Sequence, residues 1–162
     1  MADRGAEIRF AVDTMLGRLA RWLRILGHDV AYGPHLRGRT LVDCARRDRR
    51  VLLTRDTRLV RTADLPTHLF IADDHFRDQL RQVAAAWPIG AGPVLSRCLD
   101  CNRPLDEIPR EEARARVPEF VGKSSPRFWR CGGCGKLFWP ATHRLHIQRE
   151  LAALGVPAEA AG

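Results

Sequence analysis

Two short, mostly apolar runs in this chain each lead into an aspartate. Ile8-Arg9-Phe10-Ala11-Val12 ends at Asp13, and Val51-Leu52-Leu53-Thr54-Arg55 ends at Asp56. Both runs read as buried strands. In an open α/β sheet, ligands bind outside the carboxyl ends of the strands, near the switch in strand order. Two carboxylates delivered there repel each other, and a divalent cation relieves that repulsion. Mg²⁺ or Mn²⁺ suits an all-oxygen site, and such an ion can support phosphodiester hydrolysis by generating hydroxide and stabilising the leaving oxygen. Asp73 and Asp74 follow a third run, and Asp43 lies on an intervening helix. All three are candidates to complete the catalytic set. Any one aspartate could simply cap a helix or turn. Recurrence at equivalent strand ends favours function.

Arg18, Arg21 and Arg24 follow Asp13 at intervals of three, off the face carrying Leu16, Leu19 and Leu23. They can form a phosphate-binding wall beside the metal, or a solvated helix face. Arg55 adjoins Asp56 and could reach substrate or pair with a carboxylate.

The second chemical signal is cysteine. Cys98-Leu99-Asp100-Cys101 and Cys131-Gly132-Gly133-Cys134 are two knuckles separated by 29 residues. Two such pairs in a short module indicate a closed, four-thiolate Zn²⁺ site, structural rather than catalytic, stapling a unit too small to fold unaided. Cys44 lies on an apolar helix face and reads as core. Around the second knuckle, aromatics alternate with basic residues, a pattern able to stack bases and hold phosphates. Arg130, Trp139 and His143 are the RNA-contact candidates there. Phe128 and Phe138 read instead as the module's own core, with Trp129 and Trp139 open to either role.

The elements that must position these residues alternate between strand and helix. Strands are expected at 7–12, 28–32, 50–54 and 68–71. Helices are expected from Leu16 to Gly27, over 40–48 and 75–87, with a short turn at 59–62. The pattern β-α-β-α-β-(α)-β-α implies a mostly parallel sheet flanked by helices. A Gly/Pro-rich linker at 88–93 marks a boundary. The expected organisation is an α/β domain at 7–90, a cysteine-bearing module at 94–150, and a partly disordered tail at 151–162.

Bulk composition narrows the partners. The chain has 162 residues and a formal net charge of +8, supplied almost wholly by arginine, since Lys123 and Lys136 are the only lysines. The excess is spread along the chain and favours a polyanionic partner, foremost nucleic acid, although a GC-rich coding bias toward arginine could also produce it. No run approaches the about 18 apolar residues of a membrane span. The beginning of the chain lacks a signal peptide's apolar core, so a cytoplasmic protein is expected. A receiver-type phosphoacceptor domain would want a lysine near its last strand, and no lysine precedes Lys123. A dinucleotide-binding fold would want Gly-x-Gly-x-x-Gly after the first strand, where Asp13-Thr14-Met15-Leu16-Gly17 stands instead. A non-catalytic RNA- or ribosome-associated module remains the alternative, and an adaptor that meets a protein partner is a lesser one.

The stretches Asp13 to Arg24, Gly27-His28-Asp29, Arg50 to Asp56, Ser96 to Asn102 and Phe128 to Trp139 with His143 resemble one family throughout. It is the PIN-like ribonuclease domain found at the carboxyl end of the Mut-seven exonuclease and as stand-alone prokaryotic proteins. The resemblance implies a PIN-like α/β domain fused to a zinc ribbon, with metal-dependent RNase activity, and Asp13 and Asp56 as the matching acids. Members often carry another acid just before the second helix. This chain has Arg37-Gly38-Arg39 there, with Asp43 about a turn further on.

Overall fold

The structure is a computed structural model that describes residues 7–62, 64–90, 93–140 and 143–156, excluding the side chains of His143 and Arg144. Four short strands form a parallel sheet: β1 (Phe10–Val12), β2 (Val30–Ala31), β3 (Val51–Thr54) and β4 (His68–Phe70). Their order is β2-β1-β3-β4. The chain leaves β1 to one side and returns across it to β3. β1 and β3 therefore flank the switch point, paired with Val12 opposite Leu53.

Alternation along the strands feeds two cores. Phe10, Val12 and Leu53 face α1 (Gly17–Ile25) and α3 (Phe76–Ala86), whose Leu19, Leu23, Leu80 and Val83 are fully buried. Ala11 and Leu52 face α2 (Gly38–Arg47) through Leu41, Val42 and Ala45. Cys44 is buried on α2, as an inert core residue should be. With both faces covered, β1 has no polar alternation, the signature of a central parallel strand.

Gly27 ends α1. Its φ of +86° is open to glycine at little cost, and the His28 amide reaches back to Leu23 O at 3.0 Å. A Cβ at Gly27 would lie 2.7 Å from Pro93 O, so the residue also lets the connecting segment pass against the helix end.

Beyond the connection, β5 (Leu105–Ile108), β6 (Phe128–Cys131) and β7 (Leu137–Phe138) form a small antiparallel sheet. Two short helices, α4 (Arg110–Arg114) and α5 (Glu119–Ser124), cover it and bury Ile108, Ala113, Val121 and Phe128. Phe138 does not join this core and is half-buried elsewhere, correcting the expectation for that side chain.

The last helix, α6 (His143–Ala153), returns to the first core. Ile147, Leu151, Leu154 and Val156 are buried with Leu19, Leu23 and Leu80. Leu151, Leu154 and Val156 pack here, and residues 157–162 of the tail expected to be partly disordered lie outside the described residues. Arg77 and Glu150 fasten α3 to α6 through paired contacts of 2.7 and 2.9 Å.

A polar seam joins the two sheets. Asn102 accepts from the Val30 amide at 2.8 Å and donates to Asp29 at 2.7 Å, and Arg50 grips the same carboxylate at 2.7 Å. Burial pushes the Asp29 carboxyl up, but these two donors outweigh it and hold it below its ordinary value. Arg97 adds a bond to Gly27 O at 3.0 Å. No described helix is long and apolar enough to cross a membrane.

Candidate active site and metal centre

Asp13 and Asp56 both stand at the carboxyl ends of the central strands. The Asp13 amide continues the β1–β3 ladder by donating to Leu53 O at 2.9 Å. Its carboxylate is 5% exposed and caps a 3₁₀ turn at Thr14–Leu16, accepting from the Met15 amide at 3.4 Å. Asp56 turns the chain after β3, with Oδ1 accepting from the Arg58 and Leu59 amides at 2.8 and 3.2 Å. Among the described residues its Oδ2 has no hydrogen-bond donor.

Thr54 connects the two acids. Its fully buried hydroxyl donates to Asp13 Oδ2 at 2.7 Å and accepts from the Asp56 amide at 3.0 Å. Both oxygens of Asp13 and one oxygen of Asp56 are therefore tethered by the fold, an arrangement that orients the groups for a ligand. Met15, 65% exposed, borders Asp13 as an apolar edge.

The other acids are placed differently. Asp43 is on the exposed side of α2, paired with Arg39 at 3.2 Å. Asp74 is exposed and paired with Arg55, and Asp73 is exposed beside it. Among the described residues the cysteine set is the only group of three or more potential metal ligands brought together, so no third carboxylate joins Asp13 and Asp56 in such a group.

The arginines divide as well. Arg18 and Arg21 are exposed, and Arg18 stacks on the Phe76 ring at 4.0 Å. Arg24 must be removed from the expected phosphate wall. It is 6% exposed and spends its guanidinium on Val30 O (2.8 Å), Leu99 O (2.8 Å) and Asp100 O (3.2 Å). Burial lowers its pKa from the ordinary arginine value. It is a strut between α1 and the first knuckle. Arg130 pairs with Glu112, and Arg55 is held by Asp74. Trp139 is half-buried at the edge of the small core. The side chain of His143 lies outside the described residues.

Cys98, Cys101, Cys131 and Cys134 converge, with all four sulfurs within 4.8 Å of one another. The Cys98 and Cys134 sulfurs are 3.8 Å apart. A Zn–S bond of about 2.3 Å gives tetrahedral S–S edges of about 3.8 Å, so the set matches a tetrahedral cation in size. Amides turn inward at both knuckles: Cys101 N lies 3.4 Å from Cys98 Sγ, and Gly133 N 3.3 Å from Cys131 Sγ. Burial pushes the Cys131 thiol up, but amide donors from Cys134 and Gly133 bring it down to about 7. A hydrogen bond with Cys134 pushes Cys101 up to about 12. Full ionisation of the set thus calls for a cation to neutralise it.

A family model described as the Mut7-C RNAse domain matches residues 8–151. The chain belongs to this family. The Mut7-C match begins ahead of β1, takes in both aspartates and both knuckles, and ends at Leu151 in α6. The parallel sheet, the cysteine module and the returning helix are therefore one family unit. A Mut7-C RNAse domain points to nuclease function and implies an RNA substrate. Comparison with curated proteins and with solved structures returned no match.

Sequence reasoning did not find Thr54 as a site residue, or Asn102 and Arg24 as struts. Thr54 carried a weak signal: a polar residue at the end of an apolar strand, two positions before a candidate aspartate.

Proposed function

We propose that this chain is a cytoplasmic, metal-dependent ribonuclease with a PIN-like catalytic domain, hydrolysing RNA phosphodiester bonds at Asp13 and Asp56. The observation that carries the reading is Thr54 at the switch point of the sheet, whose hydroxyl joins the Asp13 carboxylate to the backbone amide of Asp56. Two carboxylates fit Mg²⁺ or Mn²⁺, which commonly take one or two protein oxygens and leave the remaining positions to water and substrate phosphate. When bound, the ion would supply an activated water and charge stabilisation at the leaving oxygen. The chain's own contribution is positional. Asp13 is fixed by the Thr54 and Thr14 hydroxyls and the Met15 amide, Asp56 presents Oδ2, and Arg18 and Arg21 offer exposed guanidiniums to phosphates. The cysteine set would hold structural Zn²⁺, and the ribbon built on it would aid RNA binding. Thiols that must stay reduced suit a cytoplasmic setting.

Asp13→Asn with Asp56→Asn is expected to abolish manganese-dependent cleavage of RNA while leaving the circular dichroism spectrum and Tm nearly unchanged, because asparagine also serves at turn caps. A wild-type protein that cleaves neither single-stranded nor structured RNA with Mg²⁺ or Mn²⁺ would refute the enzyme reading. The pairing of Asp43 with Arg39 and of Asp74 with Arg55 favours a second reading, a non-catalytic RNA- or ribosome-associated module. That reading requires salt-sensitive RNA binding that survives loss of both aspartates.

A further inference from the structure

A groove of about 570 Å³ opens where α1, the β6–β7 hairpin and the start of α6 meet. Its walls include Trp129, Phe138 and Trp139, all half-buried, with Trp22 behind them. Its rim carries the guanidiniums of Arg18 and Arg21 from α1, the ammonium of Lys136 from the hairpin and the imidazole of His146 from α6. Asp100 is the one acid on it and is held by Lys136 at 2.5 Å. Arg21 is exposed and makes no hydrogen bond or ion pair among the described residues.

We infer that this groove seats unpaired nucleotides of single-stranded RNA, with bases against the tryptophans and phosphates on Arg18 and Arg21. The inference rests on the ribonuclease reading for its choice of polymer, and adds the strand class and its seat. Charge complementarity favours an anionic occupant, since the rim's acid is paired with Lys136 while Arg18 and Arg21 form no ion pair among the described residues. The aromatic walls favour unpaired bases. A duplex keeps its base faces stacked inside, whereas a single strand presents them to aromatic side chains. Position favours the same strand. Arg18 and Arg21 lie roughly one and a half and two helical turns past Asp13, so a strand held in the groove runs along α1 toward the acidic pair. An apolar peptide would use the walls and leave the arginines idle.

The test uses the full, metal-loaded chain carrying Asp13→Asn and Asp56→Asn, so that RNA survives the measurement. A short labelled oligouridine strand and a blunt RNA duplex of equal length are titrated by fluorescence anisotropy. The single strand is expected to bind more tightly and to quench tryptophan emission. Trp139→Ala should weaken single-strand binding roughly five- to a hundredfold, and Trp139→Phe should restore most of it. Arg21→Ala, a surface change that leaves the fold intact, should weaken binding and reduce the slope of log K against log salt by about 0.7. Equal affinity for strand and duplex, or indifference to both Trp139→Ala and Arg21→Ala, overturns the assignment. Displacement of the strand by a tighter-binding acidic, leucine-bearing peptide also overturns it. Cleavage by the unmutated chain separates the two readings. Cleavage that is indifferent to the groove variants removes the groove and keeps the nuclease. Groove-dependent strand binding without cleavage keeps the groove and removes the nuclease.

Discussion

Thr54 shows how a site can be complete in the sequence and still unreadable. Its hydroxyl joins an aspartate 41 residues away to the amide of one only two residues on. The second partner is local, but the first exists only because β1 and β3 pair. Thr54→Val keeps the shape and removes the bridge, leaving a buried carboxylate oxygen without its donor. Stability should fall by about 1–3 kcal/mol. Cleavage at saturating Mn²⁺ should drop about ten- to a hundredfold with RNA affinity unchanged, as expected of a positioning residue. Cleavage at the wild-type rate would show that the bridge has no part in orienting Asp13. Arg24 teaches a related lesson. Steps of three along an α-helix each rotate about 60° short of a full turn, so Arg24 has swung about 120° from Arg18. That rotation carries it off the exposed face and under the first knuckle, which no local pattern announces.

At the level of elements, the parallel sheet was legible because its strands are apolar runs bounded by turns, and its helices carry leucines at helical spacing. The short helices α4 and α5, five and six residues long, complete too few turns to show a period. α6 shows little amphipathic pattern, and its assignment to the first core was set by Ile147, Leu151, Leu154 and Val156 meeting α1 and α3 in space. The seam between the sheets is the element-scale feature with the largest expected energetic effect. Arg24→Ala would strand three carbonyls at once, and a loss of about 2–4 kcal/mol is expected, read as a lowered denaturation midpoint. Arg24→Lys should recover only part of it, because one ammonium cannot replace a planar fork serving acceptors on both sides. Full recovery with lysine would mean that charge, rather than the fork, holds the seam.

For the whole molecule, the cysteine module and the parallel sheet should behave as one cooperative unit. Arg24, Arg97 and Asn102 tie the first knuckle to α1 and β2, and α6 returns into the main core. Removing the metal with a chelator should therefore lower the Tm of the entire chain in a single transition, with about one zinc released per chain. Two separate transitions, with the sheet's Tm unmoved, would show that the seam does not couple the units. By itself the sequence determined the α/β alternation, the two paired-cysteine knuckles and the two strand-end aspartates, because each is written in local spacing. Tertiary structure decided which arginines face solvent, which acids are spent on ion pairs, and how a threonine joins the acidic pair. Those outcomes depend on contacts between segments far apart in the chain, and local periodicity carries no record of them.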